Sequence, residues 1–138
     1  MSDVGRLLQE TDEAVVEAIV FEPFRHELRL TIRPPAFSLK EVEKSKRTSH
    51  TLVFSQIIYF QYFYVDKDPN DEWCEYKPGS VAMEGGIDVR YKRVKVKDPV
   101  SLKKIATRAW EVEMSVEFAT IRLACRRILL DGEEVTPK

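Results

Sequence analysis

The sequence contains few of the residues from which disulfide frameworks and active sites are usually built. It has two cysteines, two histidines and five glycines among 138 residues. Cys74 and Cys125 lie far apart without CxxC spacing, so we expect both to remain reduced thiols. The opening residues, MSDVGRLLQETDE, lack the basic start and apolar run of a signal peptide. These absences predict a cytoplasmic protein.

Neither sign of charge dominates, and no apolar run is long enough to cross a membrane. The formal net charge is −1, so the chain as a whole is not attracted to polyanions. The longest charge-free window, Thr51 to Val65, is shorter than the about 20 residues of a spanning helix, and three polar residues interrupt it. We expect no membrane span. With 43% hydrophobic and 33% charged residues, residues 1–138 are predicted to form a single globular domain.

The motifs of common enzymes are also missing: there is no HExxH, P-loop, GxGxxG or GxSxG. His26 and His50 are the only side chains that titrate near neutral pH without a shifted pKa. Their places at the starts of strands predict surface or edge histidines. Cys125 lies beside two arginines that could activate a thiol, but strand alternation places it with Ile121 and Leu123. We expect a buried structural cysteine, no catalytic residue and no cofactor.

One segment approaches a metal-binding motif. DKDPNDEWCEYK begins with the Asp66, Asp68, Asn70 spacing of an EF-hand calcium loop. The sixth position is Asp71, where the loop's sharp turn needs glycine, and the twelfth is Lys77, where a bidentate glutamate is needed. We therefore predict no metal site here.

Alternating apolar residues predict a sheet. VVEAIVFEPFRHELRLTIR predicts two strands joined by a turn at Glu22–Arg25. WEVEMSVEF alternates without a break, and ATIRLACRRILL continues as a strand after a tight turn near Ala119. Asp131-Gly132 is expected to end the regular structure. In GGIDVRYKRVKVK the apolar parity shifts along the strand, which predicts a β-bulge.

The stretch FSQIIYFQYFYV, Phe54–Val65, is aromatic at six of its twelve positions. Its β-branched and aromatic content favours a strand, and its apolar residues on both faces predict a central, buried one with a bend or bulge near the middle. A stacking platform would instead expose rings beside basic residues, and no Lys or Arg lies between Thr51 and Val65.

Three short helices are predicted from local signals. They are Val4–Glu13, the segment FSLKEVEKSKR with its Ser38–Glu41 capping box, and Pro99 to about Thr107 with Asp98 as N-cap. The sum is an α+β fold, a mainly antiparallel sheet of five to seven strands with two or three short helices.

The charges are unevenly distributed along the chain. Between Asp88 and Arg108 there are eight basic residues and two acidic ones. Basic strand 90–97 could bind nucleic acid, with Tyr91 stacking on a base. Alternatively it is a solvated sheet face, neutralised across the sheet by acids of the next strand: Glu111, Glu113 and Glu117. The near-zero net charge favours the second interpretation, so nucleic acid is not the expected partner.

The hairpin VEAIVFEPFRHELRLTIR, the strand HTLVFSQIIYF and the C-terminal EVEMSVEFATIRLACRRILL resemble the layout of small α+β bacterial immunity proteins over roughly two thirds of the chain. Those proteins neutralise polymorphic or contact-dependent toxins. The resemblance implies a non-enzymatic module that binds a toxin domain. Many such toxins are basic nucleases met by an acidic surface, and the near-neutral charge here departs from that pattern. A nucleic-acid or small-ligand domain using strand 90–97, or a small enzyme whose cleft the sequence does not reveal, are the alternatives.

The densest negative segment, Asp66–Glu75, is the predicted partner-binding loop. It carries an aromatic of the kind that is enriched at interface hot spots. In the competing interpretation Trp73 packs back onto its own domain and the acids are merely solvated. The predicted contact residues are Asp66, Asp68, Asp71, Glu72, Trp73 and Glu75.

Overall fold

In the described residues, eight β-strands form one antiparallel sheet. The computed structural model describes residues 14–33, 49–64, 76–98 and 100–137. The strands are β1 (Val15–Glu22), β2 (Glu27–Arg33), β3 (His50–Tyr64), β4 (Val81–Ala82), β5 (Asp88–Lys97), β6 (Lys104–Val116), β7 (Ala119–Leu130) and β8 (Glu133–Glu134). A single 3₁₀ turn, Pro23–Arg25, is the only helical element in these ranges. The predicted α+β class is therefore wrong, as is the predicted number of strands.

The sheet curls until the segment that follows β4 reaches β6. Its order is β4-β1-β2-β3-β7-β6-β5, with β8 paired to β7. Beyond β4, Met83 pairs with Val116 of β6, and its N–H donates to the carbonyl of Ala14 at 2.8 Å. The N–H of Glu84 donates to Ser115 at 2.8 Å. The segment around β4 therefore connects β1 to β6, and the curled sheet encloses one main core.

The alternating strands supply this core as predicted. Leu28, Leu30 and Ile32 of β2 are at most 1% exposed. Alternation in WEVEMSVEF predicts five inward side chains: Trp110, Val112, Met114 and Val116 are buried, and Phe118, just after β6, is partly buried. Each such side chain contributes about 1.5–3 kcal/mol when it leaves water. The predicted turns at Glu22–Arg25 and near Ala119 are confirmed by the ends of the flanking strands.

Strand β3 bends at the predicted place. Gln56 has a φ of 57°, and the register with β7 shifts between Ile57 and Tyr59. The carbonyl of His26, itself left-handed at φ 52°, accepts a hydrogen bond from the N–H of Ile57 at 2.9 Å. The bulge is thus fixed to the β1–β2 turn.

Beyond the bulge, β3 leaves the core. Phe54 is fully buried, but Tyr62 and Phe63 are 49% and 47% exposed. Strand β2 stops pairing with β3 at Ser55, so β7 is the partner of the second half among the described strands. The prediction that all of Phe54–Val65 is buried is therefore wrong for its C-terminal part. Val65 itself lies outside the described residues.

Strand β5 has no bulge. Its register with β6 runs without a shift from Asp88↔Glu113 to Lys97↔Lys104. The apolar parity changes because the strand packs first on one face of the sheet and then on the other. Val89 contacts the main core, whereas Val94 and Val96 join a second apolar cluster with Ile58, Tyr59, Ala109 and Ala124.

The helix predicted from Pro99 to about Thr107 is also wrong, although its cap forms. The Oδ1 of Asp98 accepts hydrogen bonds from the N–H groups of Val100 at 2.8 Å and Ser101 at 3.4 Å. Leu102 then adopts a left-handed φ of 60°, and the N–H of Asp98 donates to the carbonyl of Lys103. Asp98 therefore caps a hairpin turn, and β6 begins at once. The other two predicted helices, Val4–Glu13 and the segment starting at Ser38, lie outside the described residues.

Asp131-Gly132 does not end the regular structure. Both residues have positive φ, 50° and 87°, as a two-residue hairpin turn requires. The chain reverses there and adds the short strand β8 to β7.

Candidate functional site

The hairpin of β5 and β6 extends past the sheet. Strand β6 pairs with β7 only from Trp110 to Val116, but it pairs with β5 from Lys104 to Glu113. Residues 92–97 and 104–109 therefore form a two-stranded ribbon. One face of the ribbon packs on the second apolar cluster, where Val94 is 5% and Ala109 0% exposed.

The opposite face of the ribbon is cationic. Cross-strand partners share a face, and side chains two apart on a strand do so as well. Arg93 lies directly opposite Arg108, and Lys97 directly opposite Lys104. With Lys95 these residues form what we call the cationic face: Arg93, Lys95, Lys97, Lys104 and Arg108, all exposed. Like charges directly opposite one another destabilise a sheet.

The predicted neutralisation by the neighbouring acids applies to the other side of β5. Lys92 Nζ lies 3.2 Å from Glu111 Oε1, as predicted. Glu113 Oε2, however, lies 3.1 Å from Arg122 Nε of β7, so the prediction fails for Glu113. Glu117 instead accepts a hydrogen bond from a backbone N–H of β4, so the prediction fails for that residue. Across the described ranges, no residue of the cationic face makes an ion pair.

An exposed aromatic ring continues the cationic face towards the core. Tyr91 lies two residues before Arg93 on the same face and is 37% exposed. Its ring contacts buried Trp110 edge-on, with centroids 5.1 Å apart and planes at 64°. Tyr91 is therefore held in place while part of its ring stays open to solvent.

A second surface lies at the end of the ribbon. A groove of about 550 Å³ separates the β1–β2 turn from the ribbon, and the β3 bulge lies between them. Ile57 and Ile58 line it from β3, and Val96 and Ile105 from the ribbon. Its polar lining residues include Arg25, His26, Lys97, Asp98 and Arg126.

The two turns beside this groove expose large apolar side chains. Phe24 in the β1–β2 turn is 98% exposed, and Val100 and Leu102 in the β5–β6 turn are 91% and 65% exposed. We call these three residues the apolar tips. Single exposed apolar residues are ordinary, but several beside an apolar groove are typical of an interaction surface.

The rim of the groove is mainly positive. Arg25, Lys97 and Arg126 come from three different elements. Asp98 is the acidic lining residue, and hydrogen bonds from the backbone N–H groups of Val100 and Ser101 lower its carboxyl pKa. That carboxylate therefore accepts bonds from its own turn, and the groove favours an anionic partner.

A third concavity, of about 320 Å³, is polar and internally paired. It is lined by Tyr59, Glu111 and the Arg122–Glu113 pair, among others. Burial, and then the charge of Glu111 that also accepts its hydrogen bond, raise the pKa of Tyr59. Such exposed pairs are worth about 0–1 kcal/mol each, and we assign them to the sheet surface.

The two histidines occupy different settings. His50 is buried, 8% exposed, so the prediction of a surface or edge histidine is wrong for it. Its Nδ1 lies 2.6 Å from Asp131 Oδ2, while Asp131 Oδ1 accepts the N–H of Thr51 at 3.0 Å. This pair ties the start of β3 to the β7–β8 turn. His26 lines the groove beside the apolar tips.

Cys125 is a buried structural cysteine, as predicted. It is 0% exposed in the main core with Ile121 and Leu123, and burial raises its thiol pKa to about 12. In the part of the chain that the structure describes, no three His, Cys, Asp or Glu side chains are grouped as metal ligands. No helix in the same ranges is long and apolar enough to cross a membrane.

The predicted partner-binding residues all lie outside the described residues: Asp66, Asp68, Asp71, Glu72, Trp73 and Glu75, with Cys74 among them. The sequence assigned Phe24 to a turn without a role, and Val100 and Leu102 to a helix. The missed signal was the apolar residues inside two polar turn segments, one in EPFRH and two in DPVSLKK.

Comparison of the chain with protein-family models finds no match, and comparison with curated proteins finds none.

Proposed function

We propose that this chain is a non-enzymatic protein-binding module whose partner docks on the apolar tips and into the groove between them. The observation that carries this proposal is the near-complete exposure of Phe24 and Val100 on two turns that border one apolar groove. Burying a side chain of this size contributes about 1.5–3 kcal/mol, and aromatic anchors commonly dominate interface energies.

Backbone hydrogen bonds fix the turns that carry these side chains. The β5–β6 turn is closed by the Asp98–Lys103 and Leu102–Asp98 backbone hydrogen bonds at 2.8 and 2.9 Å. The β1–β2 turn is fixed to β3 through the bond from Ile57 to His26. A turn backbone that is already ordered loses little conformational entropy on binding, which raises the affinity that the turn can supply.

The partner that fits is a protein segment with both acidic and apolar side chains. Apolar groups would enter the groove, and carboxylates would meet Arg25, Lys97 and Arg126 on its rim. The resemblance to immunity proteins suggests that this segment belongs to a toxin domain. The positive rim suits an acidic contact on that toxin, unlike the basic nucleases that many immunity proteins meet.

A displayed library of random peptides tests the binding surface. We expect the wild-type protein to enrich peptides that combine Asp or Glu with aromatic or aliphatic residues. The variant Phe24→Ser/Val100→Ser/Leu102→Ser should bind these peptides at least about tenfold less tightly, since tenfold corresponds to only 1.4 kcal/mol. The matched control Tyr62→Ser/Phe63→Ser removes apolar side chains that are about half exposed elsewhere and should bind normally. Equal binding by the tip variant, or no enrichment of acidic peptides, would contradict the proposal.

The toxin identity is tested separately with the product of a neighbouring gene. If that product is a toxic domain, co-expression of the wild-type protein should protect cells, and the tip variant should not. Protection that survives the tip variant would show that a toxin is neutralised through another surface. A neighbouring gene product that is not toxic would contradict the toxin hypothesis without affecting the peptide-binding result.

A further inference from the structure

We infer that the cationic face of the ribbon is a separate site that binds the backbone of single-stranded nucleic acid. This site does not depend on the proposed docking groove, because the cationic face and the apolar wall of the groove belong to opposite faces of the ribbon. The shared residue is Lys97, which lies at the tip.

The arrangement of the charges supports a linear polyanion. Along β5, Arg93, Lys95 and Lys97 follow one another at about 6.7 Å, two strand residues apart. Arg108 and Lys104 form a parallel row on β6, about 5 Å away across each pair. Two rows of cations therefore border one track, along which successive phosphates can each meet a basic side chain.

None of the residues that the structure describes places a carboxylate on this face, so its charges repel one another. The acids of β6 neutralise basic residues of the opposite face, as Glu111 does for Lys92. In the free protein the opposed pair Arg93–Arg108 repels itself at a cost in stability. A bound polyanion removes this repulsion and releases its condensed counterions, which is the main source of affinity for a nucleic-acid backbone.

Tyr91 favours a single strand over a duplex. Its partly exposed ring stands at one end of the cation rows and is supported by Trp110. Proteins that bind single strands combine a basic track with rings on which unpaired bases stack, and this is the combination found here. A duplex held in its major groove by the ribbon is the rival arrangement, and its bases would leave Tyr91 without a stacking partner.

Fluorescence anisotropy with a labelled oligothymidine, and with a duplex of equal length, tests this inference. We expect the single strand to bind more tightly and the affinity to fall with salt. Because each neutralised phosphate contributes about −0.7 to the slope of log K against log salt, Arg93→Gln/Arg108→Gln should reduce the slope by about 1.4. Tyr91→Leu keeps an apolar contact with Trp110 and should weaken binding about tenfold by removing base stacking.

The matched control is Arg90→Gln/Lys92→Gln. It makes the same change in net charge within the same β5–β6 hairpin, but these residues lie on the opposite face beside Asp88 and Glu111. The control should leave the salt slope nearly unchanged. Equal flattening by the two double variants, tighter binding of the duplex, or no binding of the oligothymidine would overturn the inference. The tip variant should bind the oligonucleotide normally, and if it does not, the two surfaces are one site.

Discussion

Arg108→Glu should stabilise the free protein while weakening the proposed binding to nucleic acid. The substitution converts the directly opposed Arg93–Arg108 pair into an opposite-charge pair. Removing a cross-strand repulsion and adding an attraction are each worth about 0.2–1 kcal/mol, so the free energy of unfolding should rise by about 0.4–2 kcal/mol. Residue 108 is exposed, so the change creates no cavity and buries no charge.

Urea denaturation followed by circular dichroism measures this effect. The midpoint should increase at constant slope, and the increase should shrink in high salt because exposed charges are screened. The matched control is Lys95→Glu, which makes the same charge reversal on the same face but lies opposite uncharged Ala106. Its stability gain should be smaller. An equal gain in the control, or a loss in Arg108→Glu, would refute the direct pairing from which the cationic face is derived.

Three further predictions concern the core. Phe54→Ala should lower the free energy of unfolding by about 3–5 kcal/mol, and Phe60→Ala should lower it less because Phe60 is only partly buried. Equal losses in urea unfolding would contradict the exposure of the second half of β3. Asp131→Asn should lower the free energy of unfolding by about 1.5–3 kcal/mol, because asparagine tolerates the left-handed backbone but bonds His50 less strongly. An unchanged urea midpoint would show that the bond to His50 does not stabilise the fold. In a variant whose only cysteine is Cys125, native-state alkylation at pH 8 should be negligible until urea is added. Burial raises the pKa of the Cys125 thiol from 9.0 to about 12 in the folded protein, so the thiol ionises first in the unfolded chain as the pH rises. The thiol therefore lowers the free energy of unfolding between those two pH values. The free energy of unfolding of Cys125→Ala should decline less steeply over the same pH range.

The sequence predicts individual strands well because their signals are local. The alternation in β2 and β6 follows from the two-residue period of a strand with one buried face. Leu28 and Met114 accordingly lie in the core. The bend in β3 was also predicted near the middle of the strand, where Gln56 adopts its left-handed φ. The sequence did not predict which half of β3 leaves the core. That depends on where β2 stops pairing with β3, at Ser55, and the turn that ends this pairing lies elsewhere in the sequence.

The errors arise where one local signal fits two structures. Asp98 supplies the side-chain cap that a helix N-terminus needs, and it supplies the same hydrogen bonds to a hairpin turn. Pairing of β5 with residues 104–107 decides between them, and that pairing is not visible in the turn's own sequence. Asp131-Gly132 is similar, because a chain end and a two-residue hairpin both use this dipeptide. In β5 the parity change was assigned to a bulge, although packing on opposite faces produces it without one.

The cationic face was missed because the same turn, after Lys97, was predicted as a helix. A helix after Lys97 would separate β5 from residues 104–108, and the basic residues of this region would then be scattered. The hairpin instead sets Arg93 against Arg108, so that a mixed sequence becomes a face of one sign. The sequence assigned Glu111, Glu113 and Glu117 to neutralise the whole segment, but a strand presents alternate residues to opposite faces, so an acid on one face cannot pair with a base on the other.

The packing of the ribbon also explains why its cations point outwards. An isolated two-stranded hairpin is only marginally stable in water, so the ribbon needs one face against the rest of the sheet. Ala109 and Ala124 are both fully buried, and their small side chains allow Val94 to pack between the ribbon and the sheet. Because that apolar face is used for packing, the alternate residues must face solvent. The contacts that hold the ribbon in place therefore also hold five cations in a fixed array, which is the arrangement that an extended polyanion requires.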